Sequence, residues 1–311
     1  MNDNLTTILG AGGPIADELA RILVAQGTRL RLVSRNPKPL PGVETRAADL
    51  TELDQAIRAV EGSSIVHLLV GLKYSLKIWQ ESWPRIMANT IEACKRADAR
   101  LIFFDNVYMY GKVIGPMTED TPYHPTSRKG EIRACIATQL MDEVRAGHLT
   151  ALIARAADFY GIKNKHSVPN VLVFEPLAER STPSWLVNAD VPHSFTFIPD
   201  AARGLVMLSA SGFAWNQVWH LPTAPAPLTG RQFIELAAQE FNRPPKFRVL
   251  SRPILKLVGL FNSDIREMYE MLYQSDSPYL FDSTKFARAF NFSGTPYHEA
   301  IRLAAASYKQ P

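Results

Sequence analysis

The chain has 311 residues, 46% hydrophobic and 21% charged, the profile of an ordinary globular protein long enough for one large domain and a smaller lobe. A formal charge of +4, with bases scattered among acids, forms no stripe for nucleic acid. Cys94 and Cys135 stand far apart without a CxxC pair, and His124, His166 and His193 lack carboxylates or cysteines at ligand spacing, so neither a disulfide framework nor a metal site is expected.

The opening MNDNLTTILG lacks a charged-then-apolar leader, and no apolar run reaches the length of a membrane span. The expectation is a cytoplasmic protein with a small-molecule substrate and neither nucleic-acid nor membrane partners. Along the first half, short apolar or β-branched runs alternate with segments of helical period, the pattern of a parallel sheet covered by helices. LTTIL (5–9), RLRLV (29–33), SIVHLL (64–69), RLIFF (100–104) and TALIA (150–154) are predicted strands. A first helix opens at Pro14, lines Ile15, Leu19, Ile22 and Leu23 along one face, and stops at Gly27. Thr51 is expected to cap a second; IMANTIEACKRA carries a third, and a fourth runs from about Lys129 to near Gly147.

After Tyr160, IKNKHSVPNVLVFEPLAERSTPSW reads as a loop-rich insertion, followed by strand, helix and strand in FTFIPDAARGLVMLSA and QVWHLP. From LTGRQFIELAAQEF onward the chain reads as mostly helical, with Thr229 as a cap and Pro244 and Pro245 ending that helix. LKLVGLF (255–261) is expected to pack within the C-terminal lobe, and His67 to be a core histidine with satisfied ring nitrogens. The fold class is therefore α/β: a Rossmann-type doubly wound parallel sheet (1–162 plus 193–222) with a smaller, mostly helical substrate lobe (163–192 plus 223–311).

Directly after the first strand stands GAGGPIA, in which Gly10, Gly13 and Ala16 give GxxGxxA and Gly10 with Gly12 part of GxGxxG. A tight turn, close backbone approach to a pyrophosphate and a small residue where helix meets strand require this pattern, so dinucleotide binding is expected. At the end of the second strand, where NAD binders commonly carry an acid, stand Ser34 and Arg35. A guanidinium there pairs with the extra phosphate of NADP, making NADP the preferred cofactor with NAD as the alternative. Asp49 and Leu50, closing a short third strand, could contact adenine; equally, Asp49 could cap the helix that follows.

With these parts placed, the chain resembles the extended short-chain dehydrogenase/reductase family, the NAD-dependent epimerase/dehydratase group. The matching stretches are LGAGGPIA, AADL, IVHLLVG, ANTIEACKRA, FFDNVYMYG, TEDTPYHPTSRKG, ARAADFYG, SFTFIPDAARGLVML and FDSTKFARAFNF. The resemblance implies a cofactor domain, a C-terminal lobe closing over substrate (often a nucleotide sugar), and further cofactor contacts at Pro14, Ile15, Leu69, Val70, Gly71 and Asn89. A homodimer through the two long helices beside the fifth strand is compatible with it. It also implies a catalytic Ser or Thr after the fifth strand and a Tyr-x-x-x-Lys pair that shuttles a proton and holds the nicotinamide ribose.

At those positions this sequence departs. Aligned through its prolines, serine and glycine, PTSRKGEIR puts Lys129 in the tyrosine's place and Arg133 in the lysine's, and Asn106 takes the serine's. Four residues apart, Lys129 and Arg133 share a helical face. Arginine stays protonated, so the proton-donor role falls to Lys129, which also contacts cofactor; Arg133 would take ribose or phosphate contacts, Asn106 a substrate oxygen, and Tyr108 is a reserve acid. Lys163, Lys165 and His166 are placed to suit an anionic substrate group. Two functions stay open: an oxidoreductase or epimerase/dehydratase-like enzyme with an atypical Asn/Lys/Arg site, and a non-catalytic NADP-binding sensor that has lost the relay.

Overall fold

A computed structural model describes residues 5–309 of the chain. The chain divides into two compact units. The first comprises the chain up to Met109, Arg128–Arg155 and Ala201–Trp219; the second comprises Tyr110–Ser127, Ala156–Asp200 and the chain from His220 onward.

The first unit is built from β1 (Leu5–Leu9), α1 (Pro14–Ala25), β2 (Leu30–Ser34), β3 (Glu44–Ala47), α2 (Leu53–Val60), β4 (Ser63–Leu68), α3 (Leu76–Ala97), β5 (Arg100–Asp105), α4 (Arg128–Arg145), β6 (Ala151–Arg155), all of α5 (Ile198–Ala210) but its first three residues, and all of β7 (Val218–His220) but its last. The strands form one seven-stranded sheet in the order β7-β6-β5-β4-β1-β2-β3, parallel from β6 through β3. The reversal of direction beside β1 is the switch point at which doubly wound sheets bind ligands. β1 and β6 are buried throughout, as expected where helices cover both sheet faces.

Helix α1 begins with Pro14 in its first turn and buries Ile15, Leu19 and Leu23. Over 22 residues α3 buries Trp79, Trp83, Ile86, Met87, Ile91 and Cys94 along one stripe. α4 buries Lys129, Gly130, Arg133, Ile136, Ala137 and Leu140, so both basic residues lie on its core-facing stripe.

Some local expectations change. Glu52, rather than Thr51, is the N-cap of α2, because the Thr51 hydroxyl donates back to Asp49 Oδ1 at 2.7 Å. β3 ends at Ala47, leaving Asp49 in the turn beyond it. His67 is fully buried between Ile8 and Ile102 on the neighbouring strands, and neither ring nitrogen has a hydrogen-bond partner. Burial holds it neutral, with a pKa lowered to about 3.

In the second unit, Tyr160 centres an aromatic core with Phe174, Phe195, Phe197, Phe233 and Tyr297. Thr229 caps Gly230–Glu240 through a full capping box with Gln232. That helix ends before Asn242, at positive φ, and so before Pro244 and Pro245. His220 Nδ1 donates to the Asp282 carbonyl at 2.8 Å, and its Nε2 shares a hydrogen bond with the Tyr110 hydroxyl, also at 2.8 Å. Among the described residues, no helix is long and apolar enough to cross a membrane, and no cluster of three metal-ligating side chains occurs.

Candidate cofactor and active site

The turn between β1 and α1 is shaped by two glycines. Gly10 (φ +98°) donates its N–H to the Val33 carbonyl at 2.8 Å, and Ala11 donates to the same oxygen at 3.0 Å. A Cβ on Gly10 would lie 2.6 Å from the Leu69 carbonyl carbon and the Val70 nitrogen, so this position admits no side chain without moving backbone. Gly12 (φ +96°) is also left-handed, but its missing Cβ faces open space, a cradle with room beside the backbone. Gly13 is the N-cap of α1 and Pro14 follows it. The turn thus brings together two stretches singled out separately in the sequence, Gly10–Ile15 and Leu69–Val70, at the switch point of the sheet. Its local chemistry fits a dinucleotide pyrophosphate, with one opposing feature. Partial burial raises the pKa of the Asp17 carboxyl, in the first turn of α1, against the lowering effect of the Gly12 backbone and the nearby Lys38.

Ser34 closes β2 half-buried, and Arg35 beyond it is exposed. Asp49 Oδ1 accepts from the Thr51 N–H at 2.9 Å as well as from its hydroxyl. The Thr51 bonds hold this carboxyl below its ordinary range, and the guanidinium charges of Arg35 and Arg85 add to the effect. Asp49 is therefore a turn-former with Arg35 in its field. Asn89, on α3, donates to the Leu50 carbonyl at 2.9 Å, joining two more expected cofactor residues through a structural bond. Gly71 is exposed after β4.

At the expected catalytic positions, Lys129 is buried with Nζ 4.7 Å from the centre of the Tyr74 ring. Arg133 is also buried; its Nε donates to Asp105 Oδ1 at 2.7 Å and its Nη2 reaches the same oxygen. Its guanidinium lies over the rings of Trp83 (4.3 Å) and Phe103 (4.9 Å). Arg155, at the end of β6, approaches Asp105 Oδ2 at 3.6 Å in a fully buried arrangement. Asn106 Oδ1 accepts the Tyr108 N–H at 3.0 Å, and Tyr108 stacks on Trp79. The sequence reading missed Asp105, the acid on which two buried arginines converge. Its signal was present in FFDNVYMYG: an acid closing an apolar strand needs a buried cation.

The model of the NAD-dependent epimerase/dehydratase family matches residues 6–216. No curated protein sequence matches. Among solved structures, the UDP-glucose 4-epimerase of Thermus thermophilus in complex with NAD is 16% identical, with a TM-score of 0.79 over 98% of this chain and 99% of that one. The Thermotoga maritima UDP-glucose 4-epimerase with UDP-glucose is 15% identical, with a TM-score of 0.80 over 98% of each chain. The dTDP-glucose 4,6-dehydratase DesIV of Streptomyces venezuelae with NAD and TYD is also 15% identical, with a TM-score of 0.80 over 98% of this chain and 97% of that one. At these identities the structures attest the fold alone. Sheet order, glycine turn and a family match spanning most of the chain agree: this protein belongs to the NAD-dependent epimerase/dehydratase family.

Proposed function

We propose that the protein binds a nicotinamide dinucleotide at the β1–α1 turn, with NADP preferred over NAD. It would use it in oxidoreductase or epimerase/dehydratase-type chemistry on a small hydroxyl- or carbonyl-bearing substrate. The observation that carries this reading is the Gly10–Gly12 turn, packed on Leu69–Val70 and open at Gly12. The NAD held by the Thermus and Streptomyces relatives supports the ligand class. Exposed Arg35 at the end of β2 supports recognition of a 2′-phosphate.

When bound, the cofactor supplies or accepts a hydride. The backbone of Gly10, Gly12 and Gly13 would cradle its pyrophosphate, and Ser34 with Arg35 would hold the adenosine ribose and its phosphate. Asn106 can hydrogen-bond a substrate oxygen without exchanging a proton. Of the substituted pair, only the Lys129 ammonium can give up and retake one. UDP-glucose in the Thermotoga epimerase makes nucleotide sugars the first substrates to screen.

The ion pair of Arg133 with Asp105 favours a second reading, a dinucleotide sensor without turnover. The position that the family gives to its relay lysine here carries a cation already met by a buried carboxylate.

Thermal denaturation with NADP, NADPH, NAD and NADH tests the binding. A ligand at about a hundred times its dissociation constant should stabilise the protein by roughly 2.7 kcal/mol. No shift with any of the four at millimolar concentration would overturn the dinucleotide reading. Cofactor oxidation against carbonyl compounds and nucleotide sugars, lost in Lys129→Ala, supports the enzyme; a thermal shift without turnover on any of them supports the sensor.

A further inference from the structure

The helix Arg252–Gly259 carries two apolar faces. Leu255 is buried with Leu186 and Leu272, which anchors the helix to its own unit. Ile254, Leu257 and Val258 recur at i, i+3 and i+4, the stripe that elsewhere faces a core, and Phe261 follows in the turn just past the helix. Here that stripe faces outward: Ile254 is 49%, Leu257 62% and Phe261 88% exposed, with Leu260 beside them at 66%. This corrects the expectation that LKLVGLF packs internally. Singly exposed apolar residues are normal, whereas a contiguous group ending in a nearly bare phenylalanine marks an interaction surface.

The surrounding charge points to the occupant. Between residues 243 and 261 the chain carries Arg243, Lys246, Arg248, Arg252 and Lys256 and no acid. Lys246, Arg248 and Lys256 are exposed, while Arg252 is paired with Asp276 at 2.7 Å. The flanking acids lie outside it: Glu240 three residues before Arg243, and Asp264 three residues after Phe261 in the next helix, Ser263–Met268, followed by Glu267 and Glu270. A second copy docked face to face would set these bases against themselves. An anionic lipid surface instead satisfies both features: acyl chains take the apolar stripe, and headgroup phosphates meet the cations.

We propose that Arg252–Phe261 is a peripheral attachment site for anionic membranes, independent of any dinucleotide bound in the first unit. The test is flotation of the full chain with vesicles of phosphatidylcholine alone and of phosphatidylcholine with phosphatidylglycerol. Binding should need the anionic lipid, weaken as salt shortens the screening length, and fall at least about tenfold in Leu257→Ser/Phe261→Ser. Lys256→Glu, a single exposed change, should also lower it, which keeps the test decisive if the double variant folds poorly. Failure of the wild-type protein to bind anionic vesicles, or equal binding by the folded variants, would overturn the proposal. So would a wild-type dimer in sedimentation velocity that Leu257→Ser/Phe261→Ser turns into monomer, because a second copy would then cover the face.

Discussion

Arg133 Nε donates to Asp105 Oδ1 at 2.7 Å across 28 residues of sequence, and both side chains are almost wholly removed from solvent. Without that carboxylate, Arg133 would lose the anion it is bonded to inside the fold, and Arg155 the Asp105 oxygen it approaches. Asp105→Asn, nearly isosteric, is therefore expected to destabilise the protein by about 3–5 kcal/mol. Urea unfolding reads this as a lower midpoint at unchanged slope. A loss under about 1 kcal/mol would show that the carboxylate charge does not hold the arginines in place.

His67 sets a pH dependence. Its folded pKa is lowered to about 3 by burial, whereas an unfolded histidine takes up a proton near its ordinary value of 6.5. Below that value the unfolded state binds more protons, so stability is fully present at higher pH and declines as pH falls toward about 3. From pH 7 to pH 5, His67 should account for about 2 kcal/mol of lost stability. His67→Leu should remove that part of the slope and leave stability near neutrality equal or higher, since no hydrogen bond is lost. Unfolding curves at the two pH values, with an unchanged slope in the variant, would show the effect to lie elsewhere.

The two glycines of the β1–α1 turn should respond unequally. Gly12→Ala meets only the left-handed backbone and should cost about 1–2 kcal/mol. Gly10→Ala meets the same backbone strain and also strikes Leu69 and Val70, so it should lower the melting temperature further. Calorimetry of the two variants checks the order; the reverse order would mean that the approach of Gly10 to Leu69 is loose.

Charge around the turn should separate the cofactors. Arg35→Asp should weaken NADPH by about tenfold or more and NADH far less, because a guanidinium contact is lost only with the 2′-phosphate. Asp17→Asn removes a negative charge from the first turn of α1, beside the glycine turn, and should tighten both. Titration calorimetry decides: equal weakening of both cofactors by Arg35→Asp removes the case for phosphate recognition. Unchanged affinity in Asp17→Asn would place the pyrophosphate away from Gly12.

Much of this protein was legible without coordinates because it is written locally. The alternation of LTTIL, RLRLV, SIVHLL, RLIFF and TALIA with helical stripes specified the sheet, and GAGGPIA specified the turn, each through contacts within a few residues. Spacing alone put Lys129 and Arg133 on one helical face, but it could not show that this face is α4's buried stripe. That depended on which strand end the helix lies against, and the end of β5 brought Asp105 to Arg133. For the same reason LKLVGLF read as core: its period is that of a buried helix, and only tertiary packing decided that Leu255 turns inward while Leu257 and Phe261 face out. Periodicity is a property of the chain, whereas the partner of a buried charge or of an apolar stripe depends on surfaces that folding brings together.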